Sequence, residues 1–121
     1  MQAVMQAEVA LGRQPRDVSA QRGLGYDIES KDPATGHLYF IEVKGRIEGS
    51  DTFTITTNEI TFAQTQGDRH RLALVEVSTS GADSDQLRYV GDAFTHLEPS
   101  ATTRSYNEVW RDYWERGGPP R

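Results

Sequence analysis

Residues 38–46, LYFIEVKGR, decide how the rest of the chain is interpreted. Alternate side chains of a strand share a face, so the apolar residues of this stretch cover both faces of its first half. That pattern is typical of a central strand packed on both sides. Glu42 and Lys44 then follow Leu38 and Phe40 on one face, just before Gly45. The stretch therefore predicts a buried strand that brings a carboxylate and an ammonium group together near its end.

Length and composition favour a small globular protein. The chain has 121 residues, of which 36% are hydrophobic and 26% charged, so we expect a single domain over residues 1–121. No apolar run is long enough to span a membrane, and residues 1–12 lack the basic and apolar regions of a secretory signal. The absence of cysteine excludes disulfides, thiolate zinc sites and a cysteine nucleophile, and it fits a cytoplasmic location.

The charge balance argues against a protein that holds nucleic acid by bulk electrostatics. The chain carries 13 basic and 18 acidic residues, for a net charge of −5. Neutralising phosphates requires clustered Lys and Arg. The only lysines are Lys31 and Lys44, so a lysine within an apolar strand is unusual for this chain.

Hydrophobic periodicity predicts a helix over residues 2–11. Val4, Ala7 and Leu11 form its apolar side, Glu8 lies on that same side, and Gly12 ends the helix. The other elements predicted from periodicity and turn residues are an extended segment at 16–20, a hairpin of strands at 25–30 and 38–44 around a turn at 31–37, a strand at 52–56, a helix at 57–66, a strand at 71–78, a turn at 81–85 and an edge strand at 86–90.

Two capping boxes predict where helices begin. Thr56 with Glu59 starts the 57–66 helix, and Ser105 with Glu108 predicts the start of a final helix. The final helix would carry an aromatic stripe that serves as core or as a docking surface, made of Tyr106, Val109, Trp110, Tyr113 and Trp114. Residues 117–121 are expected to form a frayed tail.

The predicted hairpin places Asp27 beside Glu42, with Lys44 on the same face. Two adjacent carboxylates repel each other unless a cation lies between them. Mg²⁺ prefers oxygen ligands, and one or two carboxylates suffice because it keeps several waters. A lysine nearby can orient a water or offset charge on a phosphoryl group. These residue types suit phosphodiester hydrolysis, although a surface ion pair between Glu42 and Lys44 would leave the same pattern.

The segments GYDIES and YFIEVKGR resemble the D…(D/E)xK signature of the PD-(D/E)xK nuclease superfamily, and its Mrr-like and resolvase-like branch most of all. Over residues 4–98, the wider pattern RDVSA…GYDIESKDPATGHLYFIEVKGR…TTNEITFA…LALVEV…RYV resembles the NO VEIN carboxy-terminal domain family. The resemblance implies a restriction-endonuclease-like α/β fold, a central mixed sheet flanked by helices. It also implies the C-terminal part of a larger protein, or a partner of one, of helicase or ATPase type.

The resemblance also implies roles for individual residues. Asp27, Glu42 and the Val43 carbonyl would bind Mg²⁺ or Mn²⁺, and Lys44 would be the catalytic lysine beside Asp27 and Glu42. Glu8 and Gln64 match accessory polar residues on the first helix and on the helix after the lysine strand. Tyr26 stands where the superfamily name has proline.

The function implied is metal-dependent DNA cleavage of the endonuclease type, in defence or DNA repair, with DNA as partner and a homodimer as one possible assembly. Two other functions stay open: a non-catalytic module that docks nucleic acid or protein for an attached helicase or ATPase, and a purely structural interaction domain. Several polar residues are expected to have no role in the site, with Glu59 serving only as a helix cap; the others are Glu29, Arg46, His37, His70 and His96.

Overall fold

The computed structural model describes residues 1–47, 49–81 and 85–121. Its elements, in chain order, are α1 (Gln2–Ala10), β1 (Gln14–Asp17), β2 (Ile28–Lys31), β3 (Leu38–Ile47), β4 (Thr52–Thr56), α2 (Thr57–Gln66), a 3₁₀ turn (Gly67–Arg69), β5 (His70–Val77), β6 (Gln86–Gly91), β7 (Ser105–Val109) and α3 (Trp110–Arg116). The predicted turn at 81–85 lies largely outside the described residues.

Five strands form a mixed sheet in the order β1-β2-β3-β5-β6. Strands β3 and β5 are parallel, and the other neighbours are antiparallel. The predicted hairpin is present, with Ile28 opposite Ile41. Strand β3 is central and β6 lies at the edge, as predicted. The expected α/β class with a central mixed sheet is therefore confirmed.

Helices cover both faces of this sheet. The successive residues Leu72, Ala73, Leu74 and Val75 of β5 alternate between two core clusters, so the clusters lie on opposite faces. Val4 of α1 packs in the cluster of Ala73 and Val75. The cluster of Leu72 and Leu74 contains residues of α2, β4 and α3.

The predicted capping box at Ser105 and Glu108 is wrong. Residues Ser105–Val109 form β7, which pairs antiparallel with β4 in a separate two-stranded sheet. The pairing with β4 spans about half the chain, and a local four-residue pattern cannot reveal it. Helix α3 begins only at Trp110, whose ring is fully buried along with that of Tyr113.

Residues 117–121 differ from the expected frayed tail. The Gly118 and Tyr89 backbones exchange two hydrogen bonds, and the Arg121 carbonyl accepts from Arg13 and Arg71. These contacts hold the segment against β6 and the start of β5. Among the described residues, no helix is both long and apolar enough to cross a membrane.

Candidate active site

Asp27 lies just before β2 and is attached to β3 by two hydrogen bonds. Its backbone N–H donates to the Ile41 carbonyl at 2.9 Å, and its Oδ2 accepts from the Val43 N–H at 2.8 Å. The antiparallel pairing of β2 with β3 produces this contact, as the hairpin predicted. The Asp27 carboxylate is therefore fixed beside the residues on either side of Val43, which are Glu42 and Lys44.

The Glu42 side chain is almost completely buried, with 1% exposure. Its carboxyl group faces those of Asp27 and Glu59, and its Oε1 has no hydrogen-bond partner among the described residues. Burial raises the pKa of Glu42 to about 11, and the neighbouring Glu59 and Asp27 carboxylates contribute to the increase. The Lys44 ammonium opposes this increase only in part, so burial favours the protonated form of Glu42 at neutral pH when no metal ion is bound.

Lys44 lies two residues after Glu42 on the same face of β3. Its Nζ is 3.2 Å from Oε1 of Glu59, and each of these two side chains is 19% exposed. Both groups are thus partly buried at the edge of the carboxylate cluster. The structure brings together the three residues that the sequence analysis selected as the site, Asp27, Glu42 and Lys44.

Glu59 is the residue that the sequence analysis missed. It forms the expected capping box, exchanging hydrogen bonds with Thr56 at 2.9 and 3.1 Å. The same carboxylate also contacts Lys44 and Glu42. Burial alone would raise the pKa of Glu59, but hydrogen bonds from Glu42, Thr56 and Lys44 outweigh it and the pKa is lowered. The available signal was its position in the first turn of the helix that follows the lysine strand.

A cavity of about 280 Å³ opens beside this cluster and is lined by Asp27 and Glu59. Its other walls are the loop between β1 and β2 and the start of α2. A larger cavity of about 500 Å³ lies elsewhere, against Arg46, Trp110 and Trp114, and none of the four clustered residues lines it. We place the candidate site at the smaller cavity because two members of the cluster, Asp27 and Glu59, line it.

Glu8, for which the resemblance implies an accessory role in the site, does not contact Asp27 or Lys44 among the described residues. Glu8 does face the sheet and is fully buried, but its carboxylate accepts hydrogen bonds from Arg13 at 2.7 and 2.9 Å and from Tyr89 at 2.7 Å. Burial raises the pKa of Glu8, but these hydrogen bonds together lower it by more, so the pKa lies below its usual value. Helix α1 covers the face of the sheet opposite Glu42 and Lys44, so Glu8 cannot join them.

Gln64 also lies apart from the cluster. Its side chain is exposed, and its Nε2 donates to the carbonyls of Phe94 at 2.9 Å and Leu97 at 2.8 Å. The resemblance implies an accessory role for Gln64, but the buried side of α2 carries Ile60 and Ala63. Gln64 ties the loop after β6 to the helix and does not reach the carboxylates.

Other polar residues that the sequence analysis set aside have partners elsewhere. Glu29 accepts hydrogen bonds from Arg16 and Tyr26, and Arg46 pairs with Glu76 at 2.8 Å. The sequence analysis also set aside His37, His70 and His96. Among the described residues, no three histidine, aspartate or glutamate side chains are arranged to hold one metal ion.

The donor set nevertheless fits a divalent cation of the Mg²⁺ type. Such a cation binds through one or two carboxylates and keeps several waters, so a three-residue cage is not required. Glu42 Oε1 is a buried oxygen with no partner among the described residues, beside the second carboxylate of Asp27. A cation between the two would remove the repulsion that keeps Glu42 protonated.

Comparison with known proteins gives a family and a fold. A family model described as Protein NO VEIN, C-terminal, matches residues 1–90. No curated protein matches the chain. Among solved structures, the 1.6 Å structure of Hjc, a Holliday junction resolvase from the archaeal hyperthermophile Archaeoglobus fulgidus, matches with a TM-score of 0.59 and 15% identity, over 98% of this chain and 94% of that one. This likeness confirms the expected restriction-endonuclease-like fold.

Proposed function

Because the chain belongs to the NO VEIN C-terminal family and has the fold of a junction resolvase, we propose that it hydrolyses DNA phosphodiester bonds with a divalent metal ion. The observation that carries the proposal is the meeting of Asp27, Glu42 and Lys44 in one cluster, in which Asp27 lines a cavity. Family and fold make a nuclease the first function to consider for such a site.

Each group has a chemical task in this proposal. Asp27 and Glu42 would hold Mg²⁺ or Mn²⁺ through carboxylate oxygens, with the Val43 carbonyl as a further ligand. When bound, the ion would supply a water of lowered pKa and a positive charge for the phosphoryl group. The Val43 N–H fixes the orientation of the Asp27 carboxylate. Lys44 orients the attacking water or offsets the charge that develops on the phosphoryl group.

Glu59 positions Lys44 in this scheme. The first turn of α2 fixes the Glu59 carboxylate through its bond from the Thr56 N–H, and that carboxylate holds the ammonium group of Lys44 at 3.2 Å. A flexible lysine side chain is thereby ordered before substrate arrives, so less entropy is lost when it acts.

The test is cleavage of plasmid, single-stranded and four-way-junction DNA by the pure protein, with Mg²⁺, with Mn²⁺ and with EDTA. Lys44→Ala should reduce metal-dependent cleavage by about 10²–10³-fold, because it removes a cation that acts in the transition state. Its free energy of unfolding should change by about 1 kcal/mol or less, as for other partly exposed ion pairs.

The matched control is Lys31→Ala, which removes the only other lysine, an exposed residue at the end of β2. It should cleave like the wild type. Equal cleavage by wild type and Lys44→Ala would contradict the role given to Lys44. Absence of cleavage and of metal binding in the wild type would overturn the nuclease proposal.

One observation favours a second function, a docking module for nucleic acid or protein in a larger helicase-type or ATPase-type machine. Lys44 is neutralised by Glu59, and the net charge of the chain is −5. A non-catalytic domain tolerates both features. This function predicts binding to DNA or to a partner without cleavage in any metal, and the same cleavage experiment separates the two.

A further inference from the structure

The loop between β1 and β2 forms one wall of the cavity at the candidate site. The residues that line the cavity are Ser19, Gln21, Arg22, Gly23, Leu24, Gly25, Tyr26, Asp27, Thr56, Asn58 and Glu59. Arg22 is the one basic side chain among them. The loop therefore carries a cation to the mouth of a cavity whose two acidic lining residues are Asp27 and Glu59.

The charge of Arg22 is not used within the described part of the molecule. Its side chain is exposed and takes part in none of the ion pairs or side-chain hydrogen bonds among the described residues. Most other cations that face carboxylates are already paired; the pairs are Arg13 with Glu8, Arg16 with Glu29, Lys44 with Glu59, Arg46 with Glu76 and Arg111 with Glu115. Arg22 is thus available to an anion that enters the cavity.

The backbone of the same loop offers further donors. The Gln21 N–H donates to Val18 and the Asp27 N–H donates to Ile41, each at 2.9 Å. Between them, the amides of residues 22–26 donate to no other described residue. Amide groups presented by a glycine-containing turn are good phosphate ligands.

The loop is also fixed in place against α2. Gly23 and Gly25 have φ of +80° and +84°, the left-handed region that favours glycine. Asn58 Nδ2 donates to the Gly23 carbonyl at 3.4 Å, and the Tyr26 ring stacks on Phe62 with centroids 4.7 Å apart. A loop anchored at both ends can present its amides and Arg22 without a large ordering cost.

We propose that this loop, residues 19–26, binds the phosphate backbone of the DNA strand that enters the candidate site, through Arg22 and the free amides. The inference rests on the proposed function. A phosphodiester that enters the cavity meets the Asp27 and Glu59 carboxylates, which repel it, and the loop supplies the local positive potential that the chain lacks overall.

The experiment measures binding of a short fluorescein-labelled duplex and of a labelled single strand by fluorescence anisotropy, in EDTA to prevent cleavage, over a series of salt concentrations. Arg22→Ala should weaken binding about tenfold at ~0.1 M salt and reduce the slope of log K against log salt by about 1, as expected for one lost phosphate contact. Arg22→Lys keeps the charge and should keep the slope.

The matched control is Arg69→Ala, an exposed arginine beyond the opposite end of α2. It should bind DNA like the wild type. If Arg22→Ala also binds like the wild type, the assignment of the loop is wrong while DNA binding stands. If the wild type binds neither DNA form, the proposed function fails, and this inference fails with it.

Discussion

At the scale of single residues, the buried carboxyl group of Glu42 links the stability of the fold to pH. Its carboxyl is buried against two other acidic side chains, and burial raises its pKa to about 11. An unfolded chain has this group ionised above a pKa of 4.5, whereas the folded chain keeps the proton. From pH 4.5 upwards, the unfolded state therefore gains stability relative to the folded state.

Glu42→Gln should therefore stabilise the metal-free protein at neutral pH. The gain should be small near pH 4.5 and reach at most about 3.5 kcal/mol at pH 7, since each pH unit above the unfolded pKa adds about 1.4 kcal/mol. Urea unfolding in EDTA at both pH values measures it. If Glu42 holds the metal ion as proposed, Mg²⁺ should raise the melting temperature of the wild type and not that of the variant. Equal stability of both proteins at pH 7 would show that Glu42 is ionised in the folded state.

How far the site could be predicted depends on the kind of contact. The hairpin spacing placed Asp27 beside Glu42, because cross-strand register follows from two strands and their turn. Glu59 was missed because its capping box accounted for it locally, while its contact with Lys44 depends on how α2 packs. The accessory role implied for Glu8 could not be checked from the sequence, because helical periodicity shows that a residue faces a sheet but not which side of it.

At the scale of elements, the loop at 19–26 and α2 form one structural unit through Gly25. A Cβ at Gly25 would lie 2.9 Å from Cβ of Phe62, whereas a Cβ at Gly23 meets nothing within 4 Å. Both glycines have positive φ, so alanine at either position costs about 1–2 kcal/mol of backbone strain.

Gly25→Ala should therefore lower the free energy of unfolding by more than the backbone strain of about 1–2 kcal/mol, because Phe62 or the loop must also move. Gly23→Ala is the matched control, with the same strain and no steric contact. Urea unfolding of both variants gives the difference. Because the loop binds phosphate in our proposal, Gly25→Ala should also weaken DNA binding more than Gly23→Ala. Equal unfolding free energies would contradict the close packing of this loop on α2.

Helices and strands were predicted correctly where residues close in sequence mark their ends. Helix α2 has its predicted bounds of 57 and 66, since a capping box and a glycine mark its ends. Strand β7 was mistaken for the start of a helix because its stabilising partner, β4, is distant in the sequence. A five-residue strand shows too short an alternation of polar and apolar residues to be recognised from the sequence. Its pairing with β4 therefore decides its conformation, against the local capping-box pattern.

At the scale of the whole molecule, one histidine joins parts of the fold that are distant in sequence. His70 begins β5, pairs with Phe40 of β3 and packs against Phe94 of the loop after β6. It is 1% exposed, and neither ring nitrogen has a hydrogen-bond partner among the described residues. The sequence analysis set His70 aside as having no role in the site, and its burial could not be inferred from the local sequence alone.

The folded protein should therefore lose stability in mild acid through His70. Burial, together with the charge of Arg71, lowers the pKa of His70 from 6.5 to about 4, although Glu59 partly opposes the change. Between pH 6.5 and about pH 4, His70 binds a proton in the unfolded chain but not in the folded chain. The free energy of unfolding therefore falls as the pH decreases below 6.5. From pH 7 to pH 5 the loss should be about 2 kcal/mol.

His70→Phe should remove that part of the pH dependence without loss of stability at pH 7, because no hydrogen bond is broken. Urea unfolding of both proteins at pH 7 and pH 5 isolates the histidine, since the substitution removes no carboxylate. An unchanged pH dependence in His70→Phe would show that His70 can be protonated in the folded state.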